Sequence, residues 1–252
     1  MQYGICNLSI VPLRAEPKDT SELVSQVLYG EYFKILEKQK NWIRIRLAHD
    51  SYEGWLDKKQ YLKIKEKEFE QLESKPPTMV SDMVDFLTIE NDELMPVVMG
   101  SNLNALPVLQ HSFKGNALQT RQPKSKLIET AHLFLNAPYL WGGKTMFGID
   151  CSGFTQIVYK LNGYSLLRDA SQQATQGEVL SFIEESEPGD LAFFDNEEGK
   201  IIHVGIILEN NYIIHAHGKV RIDRLDHTGI FNSERKIYSH KLRVIRKIIS
   251  AE

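Results

Sequence analysis

Two residue types in the C-terminal half of the chain could together carry out acyl transfer: a cysteine and two or three histidines. Cys151 stands in Asp150-Cys-Ser-Gly153, directly ahead of Phe154, Ile157, Val158 and Leu161. Their i, i+3, i+4, i+7 spacing predicts a helix with one buried face, and Gly163 is placed to end it in the left-handed conformation. Cys151 then lies at the helix N-terminus, where unpaired backbone N–H groups and the helix dipole favour a thiolate. The alternative is a buried structural thiol, since free cysteine is among the most buried residue types. A nucleophilic thiol needs a base, and the base needs an orienting partner. His203, in the strand Ile201–Leu208, and His215 and His217, in the strand that follows, are the candidates.

His203 shares a strand face with Gly205, opposite Ile202, Val204, Ile206 and Leu208. That pattern suits an active-site wall and equally an ordinary exposed strand position. His203 and His215 lie an even number of residues apart, so they share a face of an antiparallel hairpin only if the loop has an odd length. A two-residue Asn210-Asn211 turn would separate them. A five-residue loop would set them directly opposite, and a three-residue loop would set His203 opposite His217 with His215 diagonal across Gly205. Spacing alone does not choose between His215 and His217. The same imidazoles on one strand face could instead hold zinc, but no acidic fourth ligand stands out, and no metal or cofactor is expected. His49, His111, His132, His227 and His240 read as surface or internally satisfied residues.

The elements that must position these groups follow from the rest of the chain. Residues 1–64 read as small β structure, with strands at Ile5–Leu13, Leu23–Leu28, Tyr32–Glu37, Trp42–Leu47 and Gly54–Leu56. Turn signals break them at short intervals, as in a small barrel or sandwich. Residues 65–122 start polar, pass Pro76-Pro77, and offer short strands at Met95–Gly100 and Leu106–Leu109. They read as a linker with a possible second, degenerate unit of the same small β kind, or as a connecting segment packed on its neighbours. From 123 to 252 a helix over Lys124–Asn136, stopped by Pro138, precedes the cysteine helix. Strands at Leu191–Asp195, Ile201–Leu208, Tyr212–Gly218, Val220–Leu225 and Lys241–Ile249 follow. Helices followed by an antiparallel sheet define an α+β domain with its helices on one side.

Composition narrows the function. The 252 residues carry a net charge of −3, which argues against a general nucleic-acid binder. The two cysteines, Cys6 and Cys151, form no Cys-x-x-Cys pair. A disulfide between them would quench the thiol, so a catalytic Cys151 requires it to be absent. No signal peptide and no membrane-spanning apolar run is legible, which leads us to expect a cytoplasmic protein without a membrane partner.

Several motifs then form an ordered set: Trp141-Gly-Gly, Asp150-Cys-Ser-Gly153, Arg168-Asp169, Pro188-Gly-Asp-Leu191, His203-Val-Gly and Ile214-His-Ala216. Together they resemble the signature of NlpC/P60 cysteine peptidases. Val11–Pro17, Gly30-Glu, Trp42 and Tyr52-Glu-Gly-Trp-Leu56 resemble a bacterial SH3 (SH3b) domain. The combined layout is similar to that of γ-D-glutamyl-L-diamino acid endopeptidases. The resemblance implies a papain-like fold, with Cys151 as nucleophile, His203 as base and His215 as orienting residue, which excludes His217 from that role. It also implies an oxyanion site at the Cys151 N–H, where Tyr139 could add its hydroxyl, and a pocket lined by Trp141, Asp150, Ser152 and Asp169. Asp150 and Asp169 also read as plain helix N-caps. The implied partner is a murein tri- or tetrapeptide, cut between D-Glu and diaminopimelate or lysine by a monomeric enzyme of wall-peptide recycling. The SH3b domain would read the free amine of the N-terminal L-Ala through Glu16, with Tyr52 as a wall and Glu53 as competitor for the acidic role. An inert murein-fragment binder, or an amidase or acyltransferase on the same fold, are the other readings.

Overall fold

A computed structural model describes residues 1–119 and 121–249. Thr120 and, at the end of the expected 123–252 domain, Ser250, Ala251 and Glu252 lie outside the described residues. The chain divides into two compact units. The first takes Met1–Arg121 together with the short segment Trp141–Thr145, and the second takes Gln122–Leu140 and the chain from Met146 onward. The passage of Trp141–Thr145 into the first unit has no counterpart in the sequence reading.

In the first unit, β1 (Gln2–Ile5), β2 (Ile10–Arg14), β3 (Leu23–Leu28), β4 (Tyr32–Lys38), β5 (Trp42–Leu47), β6 (Glu53–Asp57) and β7 (Leu62–Ile64) form one antiparallel sheet. Its order is β3-β2-β6-β5-β4-β1-β7. The alternation in β5 does what its pattern predicts: Ile43, Ile45 and Leu47 are buried while Arg44 and Arg46 stay exposed. The single strand expected over Ile5–Leu13 is two strands, because β1 pairs with β4 and β7 while β2 pairs with β3 and β6. Residues 65–119 are no free linker. Helix α1 (Glu66–Glu73) buries Phe69 and Leu72 in a core shared with Tyr3, Ile5 and Tyr29. The strands β8 (Met79–Val80), β9 (Val84–Thr88), β10 (Leu94–Val98), β11 (Ser112–Phe113) and β12 (Ala117–Leu118) make a three-stranded sheet β10-β9-β11 and a pair β12-β8. Leu106–Leu109, expected as a strand, is the short helix α2. Its proline sits at the helix start, where the missing N–H costs nothing, and Gln110 closes it in the left-handed conformation.

The Trp141–Thr145 segment, which contains β13 (Lys144–Thr145), is tied into this unit by named contacts. Trp141 Nε1 donates to Glu22 Oε1 at 2.6 Å, and the Lys144 N–H donates to Gln26 Oε1 at 2.7 Å. Gly142 has φ +76°, and a Cβ there would fall 2.3 Å from the Leu23 carbonyl oxygen, so no other residue fits. The Lys144 ammonium is fully buried and lies 3.4 Å from Glu31 Oε1.

The second unit holds α3 (Ser125–Leu133), β14 (Gly148–Ile149), α4 (Cys151–Leu161) and α5 (Ala170–Gln173), followed by β15 (Glu178–Leu180), β16 (Leu191–Asp195), β17 (Ile201–Leu208), β18 (Tyr212–His217), β19 (Lys219–Leu225), β20 (Gly229–Asn232) and β21 (Ile237–Lys247). The sheet order is β15-β21-β16-β17-β18-β19-β20, and β20 pairs back onto β21. Six strands of the antiparallel sheet that the sequence suggests therefore close into a barrel, with β15 outside it. Closure comes from the eleven-residue β21, whose register shifts against both β16 and β20. Such bulges bend a strand enough to turn a corner.

Helix α4 carries the site and departs from the expectation of one buried face: all eleven of its residues are buried. The buried polar side of the helix is tied to neighbouring segments by side-chain hydrogen bonds. Thr155 Oγ1 donates to Gln173 Oε1 at 2.7 Å, and Gln156 Nε2 donates to the Leu166 carbonyl at 3.1 Å. Asn162 caps the helix and Gly163 follows at φ +82°.

Candidate active site

Cys151 is the first residue of α4, and Asp150 is its N-cap. One Asp150 oxygen accepts from the Gly153 N–H at 2.6 Å. The same carboxylate meets Arg168 twice, at 3.0 and 2.6 Å, and Arg168 also donates to Ser152 Oγ at 2.9 Å. Arg168 and Asp150 are both buried, so the pair is a fixed internal brace under the helix start. Arg168 was legible only as part of a motif, and its function as the cation of that brace was not. Gln173 adds a second tie, donating to the Ser152 and Leu167 carbonyls at 3.0 and 2.8 Å.

The expected thiolate is not the resting state. Burial, and then the Asp150 charge, push the Cys151 thiol up to about 12, against the lowering pull of the Val204 and Ser152 backbone hydrogen bonds and Arg168. The helix start favours the anion, but removing the thiol from water outweighs it. Tyr139 belongs to the same setting. Burial, followed by the neighbouring Cys151 and Asp150 charges, moves its phenol up to about 12, so it remains a hydrogen-bond donor at neutral pH.

The histidine geometry follows from one loop. β17 and β18 pair Ile206 with Ile214 and Leu208 with Tyr212, leaving three residues, Glu209–Asn211, between the strands. Asn210 and Asn211 take φ of 58° and 61° to make so short a turn. This is the odd-length loop that the catalytic reading requires. Continued along the strands, the register sets His203 opposite His217 and His215 diagonal across Gly205. Gly205 makes that diagonal possible, because a Cβ there would lie 2.9 Å from the His215 Cβ and 2.7 Å from Ile213. His203 Nε2 and His215 Nδ1 are 2.8 Å apart, and both rings are buried. His215 is thus the hydrogen-bonded neighbour of His203, while His217 is exposed.

Two further residues at this cluster escaped the sequence reading. Asp223 Oδ2 lies 3.0 Å from His215 Nε2, and Arg221 grips Asp223 at 2.7 and 2.9 Å. Their signal was present: Arg221 and Asp223 alternate with Val220 and Ile222, so two charges share one face of the strand beside the histidines. His240, read as a surface or satisfied residue, instead stacks on His203 at 4.1 Å between ring centroids and 20° between planes. β21 runs beside β16, far from β17 in sequence, so no local pattern could place it there. Burial, and then the neighbouring His215 and His240 charges, hold His203 well below the ordinary imidazole value. His203, His215 and His240 present ligand atoms within 4.8 Å of one another, a set that differs from the expected metal trio by His240 in place of His217. The facing nitrogens of His203 and His215 are already engaged with each other.

The remaining sequence candidates are placed as follows. Asp169 is the N-cap of α5, its N–H donating to Gln172 Oε1 at 3.0 Å. Trp141 lies in the first unit and is 59 % exposed. Glu16 is exposed and meets Lys18 at 2.5 Å. Tyr52 is half-buried against the core around Cys6, Val11 and Leu13, and Glu53 is clamped by Arg44 and Arg46 at 2.7 and 2.6 Å. An apolar hollow of about 530 Å³ between α3 and the β17–β18 turn contains neither the thiol nor the paired imidazoles, and we assign it no role.

A thiol at a helix start beside a buried histidine pair, set against a six-stranded barrel, defines a papain-like cysteine peptidase. Residues 136–237 match the NlpC/P60 family, and residues 13–60 match the bacterial dipeptidyl-peptidase Sh3 domain. A gamma-D-glutamyl-L-lysine dipeptidyl-peptidase of Bacillus subtilis is 32 % identical over 76 % of this chain and 71 % of its own length. A protein of the same name from Bacillus cereus is 27 % identical over 79 % and 68 %. The crystal structure of an NlpC/P60 family protein from Bacillus cereus superposes with a TM-score of 0.80 at 20 % identity, covering 98 % of this chain and all of that one. The chain belongs to the NlpC/P60 family of cysteine peptidases and carries a bacterial SH3 domain ahead of its catalytic domain.

Proposed function

We propose that the protein hydrolyses the bond between γ-D-Glu and the L-diamino acid of murein peptides, using Cys151, His203 and His215. The observation that carries this reading is the buried His203–His215 hydrogen bond, together with a thiol at a helix N-terminus that is hydrogen-bonded to the backbone of Val204, the residue after His203. With Nε2 engaged by His215, His203 has Nδ1 left to take the thiol proton. The thiol and the base are both neutral at rest, so the proton leaves sulfur as sulfur attacks the γ-carbonyl carbon. The oxyanion accepts from the Cys151 N–H and the Tyr139 hydroxyl. Collapse breaks the C–N bond, and His203 returns its proton to the departing diamino-acid amine. Water, deprotonated by the same imidazole, then attacks the thioester and frees the γ-D-Glu carboxylate and the thiol.

Two relatives carry gamma-D-glutamyl-L-lysine in their names, which makes the lysine peptide the first substrate to try. We further propose that Glu16 pairs with the free amine of the terminal L-Ala and that Tyr52 walls that subsite. Glu53 is already held by two arginines, whereas Glu16 meets only a solvated lysine among the described contacts and is the easier carboxylate to recruit. A free amine marks a peptide already released from the glycan, which fits recycling of wall fragments.

The test is incubation of purified protein with L-Ala-γ-D-Glu-L-Lys, its meso-diaminopimelate counterpart and the N-acetylated form of each, with products identified by mass. Release of L-Ala-D-Glu from the free peptides alone is the expected result. Cleavage of the acetylated forms as well would remove the amine-reading role of Glu16. Cleavage of none, with Cys151 still alkylated by iodoacetamide, would move the enzyme to another acyl substrate.

A further inference from the structure

We propose that Asp223, held by Arg221, is a positioning residue that sets the direction of the hydrogen bonds through His215 to His203 and so fixes which nitrogen of His203 acts as the base. The proposal rests on the reading of Cys151, His203 and His215 as the reacting set. It begins from the contacts. Arg221 donates to both Asp223 oxygens, from Nε at 2.7 Å to Oδ2 and from Nη2 at 2.9 Å to Oδ1. Oδ2 also faces His215 Nε2 at 3.0 Å. Burial alone would raise the Asp223 carboxyl, but the hydrogen bonds from His215 and Arg221 reverse this and hold it below the ordinary value. An ionised carboxylate only accepts, so His215 Nε2 must carry a hydrogen.

The next step follows by exclusion. His215 is buried, and burial, opposed by Asp223, holds its ring below the ordinary imidazole value, so it is neutral near pH 7. A neutral imidazole has one N–H, so His215 Nδ1 is an acceptor. His203 Nε2, 2.8 Å away, must then be the donor. Because His203 is also held neutral at rest, its Nδ1 carries the lone pair that takes the thiol proton. Without a fixed acceptor at Asp223, His215 could turn its hydrogen toward His203 and leave the base on the wrong nitrogen. The strands supply the geometry: β19 pairs Arg221 with His215 and Asp223 with Ile213, so Asp223 reaches His215 on the diagonal while Arg221 spans both. His217 and His240 complete the surroundings of His215, with ring centroids 6.2 and 5.9 Å from its own.

The direct test is the proton position in the full-length wild-type protein, read by long-range ¹⁵N–¹H correlation of labelled histidines at neutral pH. Both His215 and His203 should be protonated at Nε2, with His215 Nδ1 bare. A His215 protonated at Nδ1 would overturn the proposal without touching the hydrolase reading. Kinetics supply the second arm. Asp223→Asn should lower kcat at least about tenfold with KM changed less than about threefold, and Asp223→Glu should restore part of the loss. Unchanged kcat in the folded Asp223→Asn protein would also overturn it. If no murein peptide is cut, alkylation of Cys151 by iodoacetamide, slower in Asp223→Asn, provides the same comparison, so a wrong substrate and a wrong role for Asp223 give different results.

Discussion

Cys6 and Cys151 are the same side chain in two regions of one molecule. Both are free and buried, and burial pushes both thiols up to about 12. Their surroundings differ. Cys6 sits among Val11, Leu13, Val27, Phe33 and Ile43 in a core of the first unit, and its Sγ donates to the Leu8 and Val27 carbonyls at 3.2 and 3.6 Å. Cys151 has a helix start behind it, backbone hydrogen bonds from Val204 and Ser152, and on the strand beside it a histidine that is itself hydrogen-bonded to a second. Acidity at rest does not separate them. The groups that can take the proton and stabilise the charge as it forms are what make one thiol a nucleophile and leave the other a core residue.

The sharpest way to break this contrast is to remove each sulfur in turn. Cys151→Ala should abolish turnover while leaving the unfolding midpoint nearly unchanged. Cys6→Ala should keep kcat within about twofold but cost about 1–2 kcal/mol of stability, by emptying volume in a packed core. Urea denaturation and peptide hydrolysis on both variants read the two effects. Loss of activity in Cys6→Ala at full folding would undo the assignment of roles. Gly205→Ala attacks the site without touching a reacting atom. Its methyl group would displace His215, and kcat should fall by about 10- to 100-fold with little change in KM. Arg168→Leu leaves Asp150 buried beneath the nucleophile without its cation, and about 3–5 kcal/mol of stability should be lost in chemical denaturation. No such loss should follow Lys18→Leu, whose partner Glu16 is solvated.

Local pattern and long-range packing divide what could be read in advance from what could not. The strands Leu23–Leu28, Trp42–Leu47, Leu191–Asp195 and Ile201–Leu208 have the bounds expected of them, because apolar runs cut by turn signals mark strands, and in Trp42–Leu47 the alternation also marks the buried face. The loop parity between His203 and His215 was arithmetic on the chain, and the observed three-residue loop sits within it. Leu106–Leu109 misled because a four-residue apolar run fits a strand as well as a helical turn, and only the start made by Pro107 decides it. Arg168, Asp223 and His240 went unassigned for a different reason. Each acts through a partner on another element, with 18, 8 and 37 positions separating them from Asp150, His215 and His203. Ionic braces and ring stacks across a barrel leave no periodic trace.

The smallest expected effect tests the histidine cluster as a whole. His240 faces His203 on β17, His215 and His217 on β18, and Asp223 on β19. Burial, then the His215 and His217 charges, lower its ring from 6.5 to about 3, with Asp223 pulling the other way. His203, His215 and His217 are lowered as well, in each case chiefly by burial. A histidine depressed in the folded state takes up a proton on unfolding at any pH between its folded and unfolded values. Stability therefore rises with pH through that window and is lost as pH falls below about 6.5 toward about 3. Cys6 has no such histidine cluster around it among the described residues, so acid should loosen the catalytic unit's core ahead of the core that holds Cys6. His240→Phe keeps the stack on His203 but cannot take up the proton. The slope of unfolding free energy against pH should become shallower by at most one proton between those limits, as read from urea midpoints at pH 4, 5, 6 and 7. An unchanged slope would mean that His240 is already charged in the folded protein, which a ring stacked 4.1 Å from a second imidazole would not tolerate.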